Sequence, residues 1–68
     1  MLELGYKIKE LRAEKGITQE ELAKTLNLSV STISMYEINK ILPSPSVLLD
    51  IAKFFNISLD ELFGYEPQ

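Results

Sequence analysis

Between Val30 and Tyr36 the chain carries three hydroxyls, Ser31, Thr32 and Ser34, set beside Val30 and Met35, with no Arg, Lys, Gln or Asn among them. A hydroxyl gives and takes hydrogen bonds but needs a neighbouring base to become a nucleophile. The chain has no His and no Cys, so it offers neither imidazole nor thiolate for base chemistry, a zinc site or a disulfide. Its paired carboxylates, Glu20-Glu21 and Asp60-Glu61, fall at expected helix starts, where capping and the helix dipole account for them. The chemistry available is recognition by hydrogen bonds and apolar contact. No enzymatic activity, metal or cofactor is expected.

The elements that must position this segment are marked by regular punctuation. Gly16, Asn27, Asn39, Asn56 and Gly64 each follow a helical pattern, and Gly and Asn best tolerate the left-handed backbone after a helix. Thr18 with Glu21 and Ser58 with Glu61 match the capping box, Ser29 can cap the next helix, and Ser44 precedes a proline at a first helical position. The pattern predicts five helices over Glu3–Lys15, Gln19–Leu26, Val30–Ile38, Pro45–Phe55 and Leu59–Phe63. Apolar stripes agree: Leu4, Ile8 and Leu11; Leu22, Ala23 and Leu26; Leu48, Ile51, Ala52 and Phe55. Ile17, Ile33, Ile57 and Leu62 complete the expected core. No run alternates with period two for long enough to suggest a sheet, so the fold class is all-α.

Sixty-eight residues allow one small domain, 1–68, with 65–68 expected as a loose tail because Pro67 discourages further helix. No segment is long and apolar enough to span a membrane, and the N-terminus lacks a signal-peptide pattern; with cysteine absent, this fits a cytoplasmic location. The net charge of −3 is uneven. Residues 1–27 and 28–42 each balance, while residues 43–68 hold Lys53 against Asp50, Asp60, Glu61 and Glu66. Acidity counts against strong binding to a polyanion by a monomer, but it lies away from Val30–Tyr36.

The stretch from Thr18 to Glu37 has the outline of two short helices around a tight turn, a form that places its second helix in the DNA major groove. Ala23 is small where the helices would cross, Asn27 can take positive φ in the turn, and Ile33 and Tyr36 face inward. Val30, Ser31, Ser34 and Met35 then face outward. Alone, this spacing also suits any two amphipathic helices of a small bundle. The flanks add more: Gly5-Tyr6-Lys7-Ile8-Lys9-Glu10-Leu11-Arg12, Gly16-Ile17-Thr18-Gln19-Glu20-Glu21-Leu22-Ala23 and Ser58-Leu59-Asp60-Glu61-Leu62-Phe63-Gly64 together resemble the Cro/C1-type helix-turn-helix family. That family includes lambdoid phage repressors and xenobiotic-response-element regulators. The resemblance implies a compact five-helix, lambda-repressor-like domain with the helix-turn-helix at helices 2 and 3.

It further implies roles for single residues. Gln19 would contact a DNA phosphate, and Arg12 would pair with Glu37 to tie the reading helix to the scaffold. Ser29, Val30, Ser31, Thr32, Ser34 and Met35 would meet base edges, with Val30 and Met35 suited to thymine methyls and hence to A·T pairs. Lys40 would contact a phosphate, and the helix start at Ser44 would face another. Family members commonly act as dimers on two-fold sites, and Ile41, Leu42, Phe54, Leu59, Phe63 and Tyr65 are the candidate contacts; Phe54, beside the core-facing Phe55, is expected to be exposed there. The expected function is a sequence-specific transcriptional regulator, a repressor bound to double-stranded DNA as a homodimer. Val30, Met35, Ile38, Ile41 and Leu42 depart from the family, which often has basic or amide residues there. They leave open a protein-interaction module, antirepressor- or antitoxin-like, with a protein partner in place of DNA.

Overall fold

The computed structural model describes residues 3–65; the expected tail beyond Tyr65 lies outside them. Five helices follow in order: α1 (Leu4–Lys15), α2 (Gln19–Leu26), α3 (Val30–Glu37), α4 (Pro45–Phe55) and α5 (Leu59–Phe63), with no strand among the described residues. Each starts and stops for a local chemical reason. Thr18 and Glu21 form both arms of a capping box, so two amides that would otherwise lack partners are satisfied at the start of α2. Ser29, Ser44 and Ser58 each accept an amide of the first turn they precede. At α5 the second arm of the expected box does not form, and only the Ser58 hydroxyl caps. All five expected stops, Gly16, Asn27, Asn39, Asn56 and Gly64, adopt positive φ. Two boundaries move by one residue: Glu3 and Ile38 are caps and not helical.

The core joins the expected stripes. Leu4, Ile8, Leu11, Leu22, Ala23, Ile33, Tyr36, Ile51, Ala52 and Leu62 are buried. Ile17, Leu26, Leu48, Phe55 and Ile57, expected inside, are half-buried and pack against that set. α3 is held between α1 and α2, α4 packs on α2 and α5, and α5 returns to α1. α3 is thus fastened along one side by Ile33 and Tyr36. Burying such side chains stabilises by about 1.5–3 kcal/mol each, enough to fix which face of an eight-residue helix points outward. No helix among the described residues is long and apolar enough to cross a membrane.

Candidate nucleic-acid interface

The turn between α2 and α3 is built by Asn27 at φ 59°, whose amide bonds the carbonyl of Lys24 while that of Leu28 bonds the carbonyl of Ala23. These bonds satisfy the last carbonyls of α2 and redirect the chain within two residues. Ser29 then opens α3. Its Oγ accepts the Thr32 amide at 3.1 Å and lies 2.9 Å from Thr32 Oγ1. Two of the expected base-reading hydroxyls are therefore bonded to each other, and that of Ser29 also to a backbone amide, with fewer directions left for an external partner. Of the four residues the spacing turns outward, Val30 and Ser31 are exposed, while Ser34 and Met35 are half-buried and only partly open to a partner.

The C-terminal end of α3 is fixed by charge. Glu37 is buried, and its carboxylate accepts from Arg12 Nε at 2.8 Å and Nη2 at 3.3 Å, the fork geometry that suits a guanidinium. Arg12 also donates from Nη1 to the Ile17 carbonyl at 3.0 Å. The bonds to Glu37 hold the Arg12 guanidinium even further above its already high pKa, so it remains charged. Gln19 joins this group: its Nε2 donates to Glu37 Oε1 at 3.0 Å. The family resemblance implies a phosphate contact for Gln19; the structure turns its amide nitrogen toward Glu37 and leaves the carbonyl oxygen and a second N–H for other partners. One carboxylate thereby links α1, α2 and α3. No buried side-chain polar atom among the described residues is left without a partner.

Beyond α3, the Lys40 amide bonds the Met35 carbonyl at 2.9 Å and the Asn39 amide bonds that of Tyr36 at 3.0 Å, so the backbone carrying Lys40 is set by the helix end itself. The Lys40 side chain is exposed, as are Ser44 and Ser46 at the start of α4. Ser44 Oγ accepts the Val47 amide and lies 3.3 Å from Ser46 Oγ. Among the described residues no group of carboxylates, His or Cys could hold a metal ion.

The proposed subunit contacts divide. Ile41, Leu42, Leu59 and Tyr65 are exposed and Phe63 is half-buried. Phe54 does not have the expected exposure. It sits edge-on to Phe55 with centroids 4.9 Å apart, and the Lys15 ammonium lies 5.0 Å from its ring centre. An aromatic face is an attractive seat for a cation, and this seat closes Phe54 from one side. The sequence did not single out Tyr6 and Leu49, which are exposed large apolar side chains. Nor did it give Gly5 a role. A side chain at Gly5 would meet the carbonyl oxygens of Tyr36 and Glu37 at 2.5 and 2.6 Å.

A short helix, a tight left-handed turn and a second helix held by a buried ion pair, all within five helices, define a helix-turn-helix domain. A model of the helix-turn-helix family matches residues 8–62. The chain belongs to that family, in its Cro/C1-type branch. It is 43% identical over 60 residues to an uncharacterised HTH-type transcriptional regulator of Methanocaldococcus jannaschii, covering 88% of this chain and 91% of that one. It is 40% identical over 65 residues to the HTH-type transcriptional activator BcrR of Enterococcus faecalis, covering 96% of this chain but only 32% of BcrR. Among solved structures it resembles the P22 c2 repressor in complex with a synthetic operator, with a TM-score of 0.87, 27% identity, and coverage of 97% of this chain and 100% of that one.

Proposed function

We propose that this protein is a DNA-binding transcriptional regulator, a repressor that works in the cytoplasm by occupying a two-fold operator as a homodimer. The observation that carries this reading is the fixed presentation of α3: its outward strip of Val30, Ser31, Ser34 and Met35 is locked to α1 and α2 through Glu37, Arg12 and Gln19. The likeness to an operator-bound repressor over nearly the whole chain supports it. In this reading α3 enters the major groove. Ser31 and Ser34 bond base edges, Val30 and Met35 pack on thymine methyls, and Ser29 and Thr32 contribute where their mutual bond allows. Lys40, the free polar edge of Gln19 and the helix start at Ser44 grip phosphates. The protein performs no chemistry of its own; it blocks or recruits by occupancy.

A dimer doubles the phosphate contacts of a chain with only seven basic residues. It would set two α3 helices about one DNA turn apart, roughly 34 Å. Leu59, Phe63 and Tyr65 near the end of the chain, Phe54 through whatever edge Lys15 leaves open, and Ile41 with Leu42 beyond α3 are the contacts assigned to the partner subunit. A specific observation favours the second reading, a protein partner in place of DNA. Ile38 and Leu42 are 67% and 62% exposed, a concentration of apolar surface that single soluble chains usually avoid.

The deciding experiment is anisotropy of labelled mixed-sequence DNA across salt concentrations. The regulator binds with a steep salt dependence. Lys40→Glu weakens that binding and lowers the slope of log K against log salt by about 0.9 for each lost phosphate contact. Gln19→Ala weakens it as well. A dimeric protein that shows no DNA binding even at low salt would transfer the assignment to a protein partner.

A further inference from the structure

Helix α1 has no cap of its own. Glu3 stands at the N-cap position, makes no side-chain bond to the first turn, and is followed by no acidic residue in that turn. The Gly5 amide is satisfied from 34 positions away, by Asn39 Oδ1 at 3.0 Å. This long-range cap is sterically exacting. A Cβ at Gly5 would lie 2.5 and 2.6 Å from the Tyr36 and Glu37 carbonyl oxygens and 2.9 Å from Asn39 Oδ1, so only a bare backbone allows the approach. Asn39 itself has φ 60°, directly beyond α3. Glycine would meet that backbone requirement at lower strain. The turn alone therefore does not account for asparagine, whereas the side-chain bond to α1 does.

We propose that Asn39 is a positioning residue for DNA binding. Its left-handed backbone turns the chain off α3, and its side chain pins that turn to the first turn of α1. The segment 38–42 is held in one place, and Lys40 with it. This rests on the reading of Lys40 as a phosphate contact. A long flexible side chain carried on a fixed backbone loses less freedom on binding than one carried on a mobile loop. The same bond couples the start of α1 to the end of the reading helix, so that α3 is fastened at its C-terminus by two separate devices: Glu37 on Arg12, and Asn39 on Gly5.

The test uses the full chain and four variants: Asn39→Gly, Asn39→Asp, Lys40→Ala and the Asn39→Gly/Lys40→Ala pair. Backbone order parameters are measured by NMR on the free protein, and DNA affinity by anisotropy well below thermal unfolding. Asn39→Gly keeps the turn and removes the bond. It is expected to lower order in residues 38–42 and to weaken DNA binding about 3- to 10-fold, the scale of one neutral hydrogen bond. Lys40→Ala should then cost less in the Asn39→Gly background than in the native chain. Asn39→Asp retains the accepting oxygen and is expected to keep the segment ordered. If Asn39→Gly changes neither order nor affinity while Lys40→Ala weakens binding, Asn39 is a plain turn residue and the phosphate reading stands without it. Additive losses from the two substitutions would also overturn the proposal, leaving a general effect on stability. If Lys40→Ala has no effect on affinity, the phosphate reading fails and the positioning role falls with it.

Discussion

Truncating Glu37 to alanine isolates the junction on which the orientation of α3 depends. The side chains of Arg12 and Glu37 are 17% and 3% exposed, so neither is well screened by water. Glu37→Ala removes three accepted bonds, two from Arg12 and one from Gln19, and leaves the guanidinium with only the Ile17 carbonyl. Breaking one side of such a pair costs about 3–5 kcal/mol, and the partial access of Arg12 to water places this case near the lower figure. Domains of this size have roughly 3–10 kcal/mol of stability in all. A loss of about 3 kcal/mol corresponds to a Tm lower by roughly 12–24 °C. The double change Arg12→Met/Glu37→Met should recover most of the loss, because it removes both charges together with their desolvation cost. Urea denaturation followed by circular dichroism gives each value and the coupling between the two sites. A Glu37→Ala loss under about 1 kcal/mol, or a double variant as weak as the sum of its singles, would refute a buried and mutually dependent pair.

Gly5→Ala, which in an open helix gains up to about 1 kcal/mol, should here cost about 2–3 kcal/mol because its methyl meets two backbone carbonyls; denaturant unfolding reads the sign directly. Burial pushes the Tyr36 phenol above its ordinary value, so the folded state keeps a proton that the unfolded state releases. Stability from this group is complete below about pH 10 and declines as pH rises toward the folded value, by up to about 1.4 kcal/mol per pH unit. Tyr36→Phe should flatten that decline, and parallel alkaline melting curves for the two proteins would contradict it. Met35→Ala should change base preference at one or two positions while leaving affinity for mixed-sequence DNA nearly unaltered; dissociation of an oligomer would mark the face as a protein contact.

Local features were legible in the sequence and long-range ones were not. The caps formed by Thr18 with Glu21, by Ser29 and by Ser44, and the backbone turns at the five positive-φ stops, involve only residues a few positions apart, so spacing alone exposes them. Ser58 with Glu61 shows the limit even there, since a matching pair of residues formed only one of the two possible bonds. The orientation of α3 followed from two inward positions, Ile33 and Tyr36, and both are buried. Gly5 was opaque because its reason lies at Tyr36, Glu37 and Asn39, which only the packing of α1 on α3 brings near. The turn of Gln19 toward Glu37 is likewise set by tertiary geometry, as is the cover that Lys15 places on Phe54. Ser29 and Thr32 add a further case. Each hydroxyl has the right type and position to read a base, and the bond between them is visible only in the structure.

Selection of bound sequences from a random pool of double-stranded DNA shows both whether this protein reads DNA and what it reads. A dimeric repressor with this α3 should enrich two-fold sites with half-sites about 10 base pairs apart and A·T pairs opposite Val30 and Met35. A pool that remains unenriched at low salt, with the protein confirmed as a dimer, would contradict that assignment.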